Sequence, residues 1–421
     1  MKFFSKTFFM LLYSAVTVAL SCCSDGDSGK KQADFEPIPI SRSEEAIVKA
    51  DNSFAYKLFD AVDSRAGEHE NYVISPLSVS VTLAMAANGA SGETLDEMLD
   101  VLGFEHQDIA GLNTFYKKML DRLPALDNTT TVNIANALWI NKDYTTKTYD
   151  MFSGNMRDFY GSPITYLDNI TSDATRQTIN KWYADNTRGL VSGPSDGKLE
   201  VETAALFTNA LYFKGYWEEN FLKEDTKIKD FRNSDGTVSK IKMMHKVASF
   251  SGYADDGYRA VAFPYGNSAY SMIIVLPDKE VSLDDCLSEI NPEDVSRLAM
   301  DDYGFGKKKL TVRLPKFEVS CESEMVGALK EMGLIKMFDG YQADFSGICG
   351  GTMFVSRITQ GVRIIVDEEG SEVASFTEEK GMLTSPGPMI DDDFFIDRPF
   401  AFIIAEKSTG LPLFMGRINK L

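Results

Sequence analysis

Apolar positions recur along this chain with two periods, about 3.6 and about 2, and the two alternate irregularly to the last residue. Ser43-Glu44-Glu45 predicts a helix start, with a hydroxyl cap and an acidic first turn. Ile47, Phe54, Leu58 and Val62 follow at helical spacing. Ser75-Pro76 predicts a second start, where proline's missing N–H costs nothing. Leu77 to Ala87 is apolar nearly all round, so this helix should be central and buried, ending at Gly89. Leu95, Met98, Leu99 and Leu102 form an amphipathic stripe closed by Gly103. Met325, Ala328, Leu329 and Met332 form another, closed by Gly333.

Strand patterns are as clear. Val132, Ile134 and Leu138 fall on alternate positions, and Met272 to Leu276 is a continuous apolar run stopped by Pro277. Leu310, Val312 and Leu314 alternate with Thr311 and Arg313. Phe400 to Ala405 and Leu411 to Met415 flank Ser408-Thr409-Gly410, which predicts a β-hairpin. Neither an interdomain linker nor an internal repeat follows residue 41. One large α+β domain is expected over residues 41–421.

The N-terminus follows a different pattern. Met1-Lys2 and Lys6 are basic, Phe8 to Leu20 is apolar, and Ser21-Cys22-Cys23 comes next. The apolar run is too short to span a bilayer and predicts a secretory signal over residues 1–22. Cysteine directly after it resembles a bacterial lipoprotein box. Cys23, or alternatively Cys22, would then carry lipid and anchor the chain to a membrane surface. Residues 23–40 are expected to be a flexible tether. The expected location is therefore outside the cytoplasm. The chain would be lipid-anchored at a bacterial membrane (outer membrane or cell surface) or free in the extracellular space.

Composition narrows the chemistry. Of 421 residues, 43 are Lys or Arg and 62 are Asp or Glu, giving a net charge of −19. That balance argues against a nucleic-acid binder. The five cysteines contain no CxxC pair, and only Cys286, Cys321 and Cys349 lie beyond the leader, so no disulfide framework is implied. His69, His106 and His245 are scattered, and no HExxH, P-loop, GxGxxG or GxSxG stretch occurs. No metal, cofactor or catalytic residue is expected. Lys307-Lys308-Lys309 with Arg313 is the one tight basic run. It could bind a polyanion, but lysines at such a place more often guard an edge strand against unwanted pairing.

Several segments, taken in order, resemble the serpin family. Asn71 to Ser78 (NYVISPLS) is similar to the family's N-x-x-x-SP-x-S helix start. Thr208 to Trp217 (TNALYFKGYW) is similar to its N-A-x-Y-F-K-G-x-W stretch. Leu314-Pro315-Lys316-Phe317 and Ala343-Asp344-Phe345-Ser346-Gly347 resemble two more. Asp367 to Ala374 (DEEGSEVA) resembles the hinge of the reactive loop, and Phe394 to Phe400 (FFIDRPF) the C-terminal motif. The resemblance runs from about residue 43 to the end.

It implies three β-sheets with about nine helices, and a reactive loop over about residues 368–393. It also implies a protease inhibitor rather than an enzyme. The loop is bait: a serine protease cuts it, and the cut loop inserts into the central sheet while the enzyme is still acylated. Glu368, Glu369, Gly370, Ser371, Glu372, Val373 and Ala374 correspond to the hinge. Family spacing places the cut at Thr384-Ser385, with Leu383 or Met382 as alternatives. A small residue there suits an elastase-like target, and Leu383 a subtilisin-like one; a cysteine protease is a further alternative. Ser75, Ser78, Asn209 and Gln360 correspond to a polar cluster beneath the sheet's centre, and Trp217 to the residue packing where the loop enters. A monomer is expected.

The loop's own pattern is compatible with insertion. One face carries Ser371, Val373, Ser375 and Thr377, small or β-branched, and the other Glu372, Ala374, Phe376, Glu378 and Lys380. Two residues depart from the pattern. Val373 stands where family hinges usually carry alanine, and Glu379 brings a carboxylate to the inward face. A stalled insertion would leave a non-inhibitory binding or chaperone protein of the same fold.

Overall fold

The computed structural model describes residues 33–104, 108–189, 191, 199–301, 305–371 and 392–421. Residues 32–421 cluster as one unit. Among the described residues the chain forms nine α-helices. These are α1 (Arg42–Asp63), α2 (Pro76–Ala87), α3 (Gly92–Leu102), α4 (Ile109–Arg122), α5 (Asp150–Tyr160), α6 (Asp173–Asn186), α7 (Leu283–Glu289), α8 (Pro292–Ala299) and α9 (Val326–Glu331).

The first helix starts two residues earlier than Ser43 suggests. Ser41 is its N-cap, because the Glu44 carboxylate turns back to accept from the Ser41 backbone N–H at 2.8 Å, closing a capping box. The second helix matches its pattern: Pro76 occupies the first turn and every residue from Pro76 to Ala87 is buried. Gly103 ends α3 in the left-handed conformation, at φ +73°.

Among the described residues fifteen strands fall into three sheets, two of which share a strand. The first sheet runs β1 (Tyr72–Ile74), β15 (Pro412–Ile418), β14 (Phe400–Glu406), β8 (Tyr270–Pro277), β7 (Tyr258–Tyr265) and β6 (Val238–Asp255). The long β6 continues into a second sheet with β5 (Lys227–Arg232), β9 (Lys307–Pro315) and β13 (Asp392–Phe395). The hairpin expected around Ser408–Gly410 is β14–β15, paired antiparallel. Lys307, Lys308 and Lys309 open β9, which pairs with β6 along its length and with β13 only across Leu310–Arg313, so among the described residues the lysine stretch is paired on one side alone.

The third sheet positions the site. Its order is β10 (Phe317–Glu324), β11 (Val355–Val366), β12 (Gly370–Ser371), β4 (Ala205–Tyr216), β2 (Thr131–Asn141) and β3 (Ile164–Leu167). Its two faces meet different layers, as the two-residue period of a strand requires. Phe207, Leu211 and Phe213 of β4 join the main core with α2, whereas Leu206 and Ala210 join a smaller cluster with Trp139, Ile179 and Tyr183 under α6.

Candidate functional site

β4 and β11 pair directly and in parallel over Ala205–Leu211 and Val355–Val362. Toward the other end of the seam they part, and β12 lies between them. Ser371 pairs with Val366 on one side and Gly215 on the other, and Gly370 pairs with Tyr216. Glu368 and Glu369 form a two-residue turn, closed by Asp367 N–H to Gly370 O at 2.8 Å and Gly370 N–H to Asp367 O at 3.3 Å. The sheet thus already accommodates two residues of the chain that leaves β11. Gly370 is required there: its φ is +148°, and a Cβ would come 2.0 Å from the Gly215 carbonyl oxygen.

The turn is held from all sides. Trp217 donates its backbone N–H to Glu369 O and its indole Nε1–H to Asp367 O, both at 2.9 Å. Phe221 N–H reaches Glu368 O at 2.9 Å. The Trp217 ring stacks on Tyr265 at 4.5 Å and 10°, and the Tyr265 hydroxyl meets Ser371 Oγ at 2.8 Å. Both acidic side chains are buried and paired. Glu369 accepts from Lys223 Nζ at 2.7 Å. Glu368 accepts from Lys316 Nζ and, at 2.9 Å, from Thr226 Oγ1. Burial alone would push the Glu368 carboxyl up. Its hydrogen bonds, that from Lys316 foremost, and the Lys316 charge outweigh burial and hold it below the usual carboxylate range.

Farther down the seam lies a polar cluster, where Asn209 and Gln360 are direct partners across β4 and β11. Gln360 Oε1 accepts from Ser75 N–H at 2.6 Å, while Gln360 Nε2 donates to Ser75 O at 2.9 Å and Asn209 Oδ1 at 3.1 Å. Asn209 Nδ2 donates to Ser78 O at 3.0 Å and Asn136 Oδ1 at 2.6 Å. The two serines take part through their backbones. Their hydroxyl oxygens are buried without a partner among the described residues. The amide of Gln360 thereby ties the start of α2 to β11 and β4, with a donor and an acceptor and no titrating charge.

Of the residues singled out in the sequence, Glu368, Glu369, Gly370, Ser371 and Trp217 converge at the upper seam, and Ser75, Ser78, Asn209 and Gln360 at the lower. Glu372, Val373, Ala374, Glu379, Met382, Leu383, Thr384, Ser385, Cys22 and Cys23 lie outside the described residues. Sequence reasoning missed Lys316, Lys223, Thr226, Tyr265 and Asn136. Lys316 sits inside the quoted Leu314–Phe317 segment, but its partner is 52 residues away, so no spacing rule points to it.

With this geometry in hand, the comparisons with known proteins agree. The family model described as "Serpin (serine protease inhibitor)" matches residues 49–421. An uncharacterised serpin-like protein of Methanosarcina acetivorans is 30% identical over 97% of each chain. Human glia-derived nexin is 30% identical, over 84% of this chain and 88% of its own. The native-state crystal structure of the thermophilic serpin tengpin superposes with a TM-score of 0.81, at 25% identity, covering 92% of this chain and 98% of tengpin. The chain belongs to the serpin family.

Proposed function

We propose that this serpin inhibits a serine protease as a suicide substrate. The target's serine oxygen bonds to the Thr384 carbonyl carbon, the Thr384–Ser385 C–N bond breaks, and the Ser385 amine leaves with the proton. The freed loop then extends β12 down the seam before water can hydrolyse the acyl bond. A target with a shallow or apolar pocket, elastase- or subtilisin-like, fits Thr384 and Leu383.

The observation carrying this reading is the position of β12 between β4 and β11. Continuing its register sets Val373 between Phe213 and Ile364, Ser375 between Leu211 and Val362, and Thr377 between Asn209 and Gln360. Thr377 would replace the Gln360–Asn209 hydrogen bond with its own hydroxyl, accepting from Gln360 Nε2 and donating to Asn209 Oδ1, so parting the two strands would strand neither amide. The same register sets Glu379 between Phe207 and Ile358, both buried. That single position favours the second reading, a loop that stalls and a protein that binds without trapping. We further propose export and lipid anchoring through Cys23 or Cys22. Partition into detergent, lost when both cysteines become serine, would support the anchor.

The test is to mix the protein with pancreatic elastase or subtilisin and run a denaturing gel. A stable band heavier than either protein, with release of a peptide beginning at Ser385, is expected. Clean cleavage without such a band, across small-pocket and apolar-pocket proteases, would overturn inhibition and leave the second reading.

A further inference from the structure

Both ends of the reactive loop are fixed to the second sheet. On one side Glu368 accepts from Thr226, the residue before β5, and from Lys316, the residue after β9. On the other side Asp392 begins β13, which pairs with β9. The four strands, in the order β5–β6–β9–β13, span about 15 Å. The chain leaves at Ser371 and returns at Asp392 across that width, so an enzyme that engages the loop lies over this sheet. A stable protein contact takes about 800 Å² from each partner. Such an enzyme therefore has to touch the sheet as well as the loop.

The two strands nearest the hinge present a distinct face. Ile228 of β5 is opposite Lys242 of β6, Asp230 opposite Lys240, and Arg232 opposite Val238. Directly opposed residues share a face. All six are exposed, Ile228 by 59% and Val238 by 57%, whereas Phe231, one residue out of step, is buried. Lys240 pairs with Asp230, and Arg232 with Asp397 at 3.6 Å. Lys242 has no ion pair among the described residues. Three cations thus stand against one acid on this face, in a chain whose net charge is −19. Single exposed apolar residues are ordinary, but here two branched ones share a six-residue face with the cations between them.

We propose that this face of β5 and β6 is a docking surface for the target protease, and that it selects enzymes with an acidic, partly apolar surface beside the active site. Lys240 and Lys242 speed the encounter, because charges at the rim of a contact act mainly on the association rate. Ile228 and Val238 lose water to the partner once contact is made. This inference rests on the reading of the loop as protease bait, but not on trapping.

The test uses one enzyme with two surfaces: pancreatic elastase, and the same elastase with its surface lysines succinylated, which turns amines into carboxylates. Each is mixed with the full chain at low salt. A denaturing gel follows the rate at which intact chain disappears, whether into complex or into cleaved product. With succinylated elastase, Lys240→Gln/Lys242→Gln should react at least fivefold more slowly than the parent, and with unmodified elastase less than twofold more slowly. Lys147→Gln/Lys181→Gln makes the same charge change beyond the far end of β2 and on α6, and should leave both rates within twofold of the parent. The fivefold effect should fade at high salt. Ile228→Ser should slow both enzymes at least twofold at any salt, and no slowing would overturn the apolar half. Equal slowing by the two double variants, or none with succinylated elastase, would overturn the surface. Complex without the rate pattern leaves inhibition standing and removes docking; cleavage with the pattern but without complex does the reverse. A loop that neither enzyme cuts would overturn both.

Discussion

Replacing Lys316 with alanine should loosen the hinge far more than the same change at Lys223, although each lysine pairs with one of two adjacent glutamates. The Glu368 side chain is 7% exposed and Lys316 29%, whereas Lys223 is 67% exposed. Breaking a fully buried pair costs about 3–5 kcal/mol, because the remaining charge is stranded. Water can reach part of the Lys316 site, and Glu368 keeps its bond from Thr226. The cost is therefore discounted to about 1–3 kcal/mol, or about 1–4 °C in melting temperature for a domain of this size. The Glu369 side chain is as buried as that of Glu368, at 8% exposed, but the place Lys223 vacates is open to water, which can take over the contact, so Lys223→Ala should cost only about 1 kcal/mol.

The effect carries a pH signature. The Glu368 carboxyl is held below its ordinary value, so the pair stabilises the fold above the unfolded carboxyl's range and that stability is lost as pH falls. The gap between parent and Lys316→Ala should narrow below about pH 4. In a Glu368→Gln background, Lys316→Ala should cost much less. Calorimetry of the four proteins across pH decides it. Equal penalties for the two lysines, or a Lys316 penalty unchanged in the Glu368→Gln background, would refute the reasoning.

Three further outcomes follow from single sites. Gly370→Ala forces a Cβ against the Gly215 carbonyl, which no side-chain motion relieves. Expulsion of β12 should appear as a change in Trp217 fluorescence and a loss of about 2 kcal/mol; an unaltered spectrum would refute the placement. Asp51 is buried among α1, α2 and α4, accepting from Ser80 and Tyr116, and burial pushes its carboxyl up to about 7 against the hydrogen bonds of those hydroxyls. Stability is then full below about pH 4 and falls as pH rises toward 7, so Asp51→Asn should melt higher at pH 8, by up to about 4 kcal/mol, and match the parent near pH 4. Gln360→Leu strands Ser75 N–H and Asn209 Oδ1 and should cost about 2–3 kcal/mol in calorimetry, with no effect expected if the amide merely fills space.

Much of the scaffold was legible because its elements are buried on one face or all round. α2, β8 and the β14–β15 hairpin each carry an apolar run long enough to fix type and rough limits. Ser43 was misleading because hydroxyls stand at both 41 and 43, and only the Glu44 side chain, turning back to Ser41, selects between them. That the edge at Lys307–Lys309 closes again from Leu310 onward was not legible, because β13 arrives from about 80 residues downstream in a parallel pairing that leaves no local mark. At the site, Glu368 to Ser371 has no periodicity and would pass for an acidic surface turn; only resemblance singled it out. That these glutamates are buried follows from Lys316, Lys223, Trp217 and Phe221, which the chain brings from two other regions. Asn136 was hidden in the same way, as one polar position on an alternating strand.

Loop insertion is tested most directly by cutting the intact protein once between Gly381 and Met389 and measuring its melting temperature. Extending β12 by about ten residues adds one net ladder of hydrogen bonds at about 0.5–1.5 kcal/mol each, roughly 10 kcal/mol in all. That is comparable with a whole domain's stability and should raise the melting temperature by more than about 10 °C. A melting curve unchanged by clean cleavage would contradict insertion.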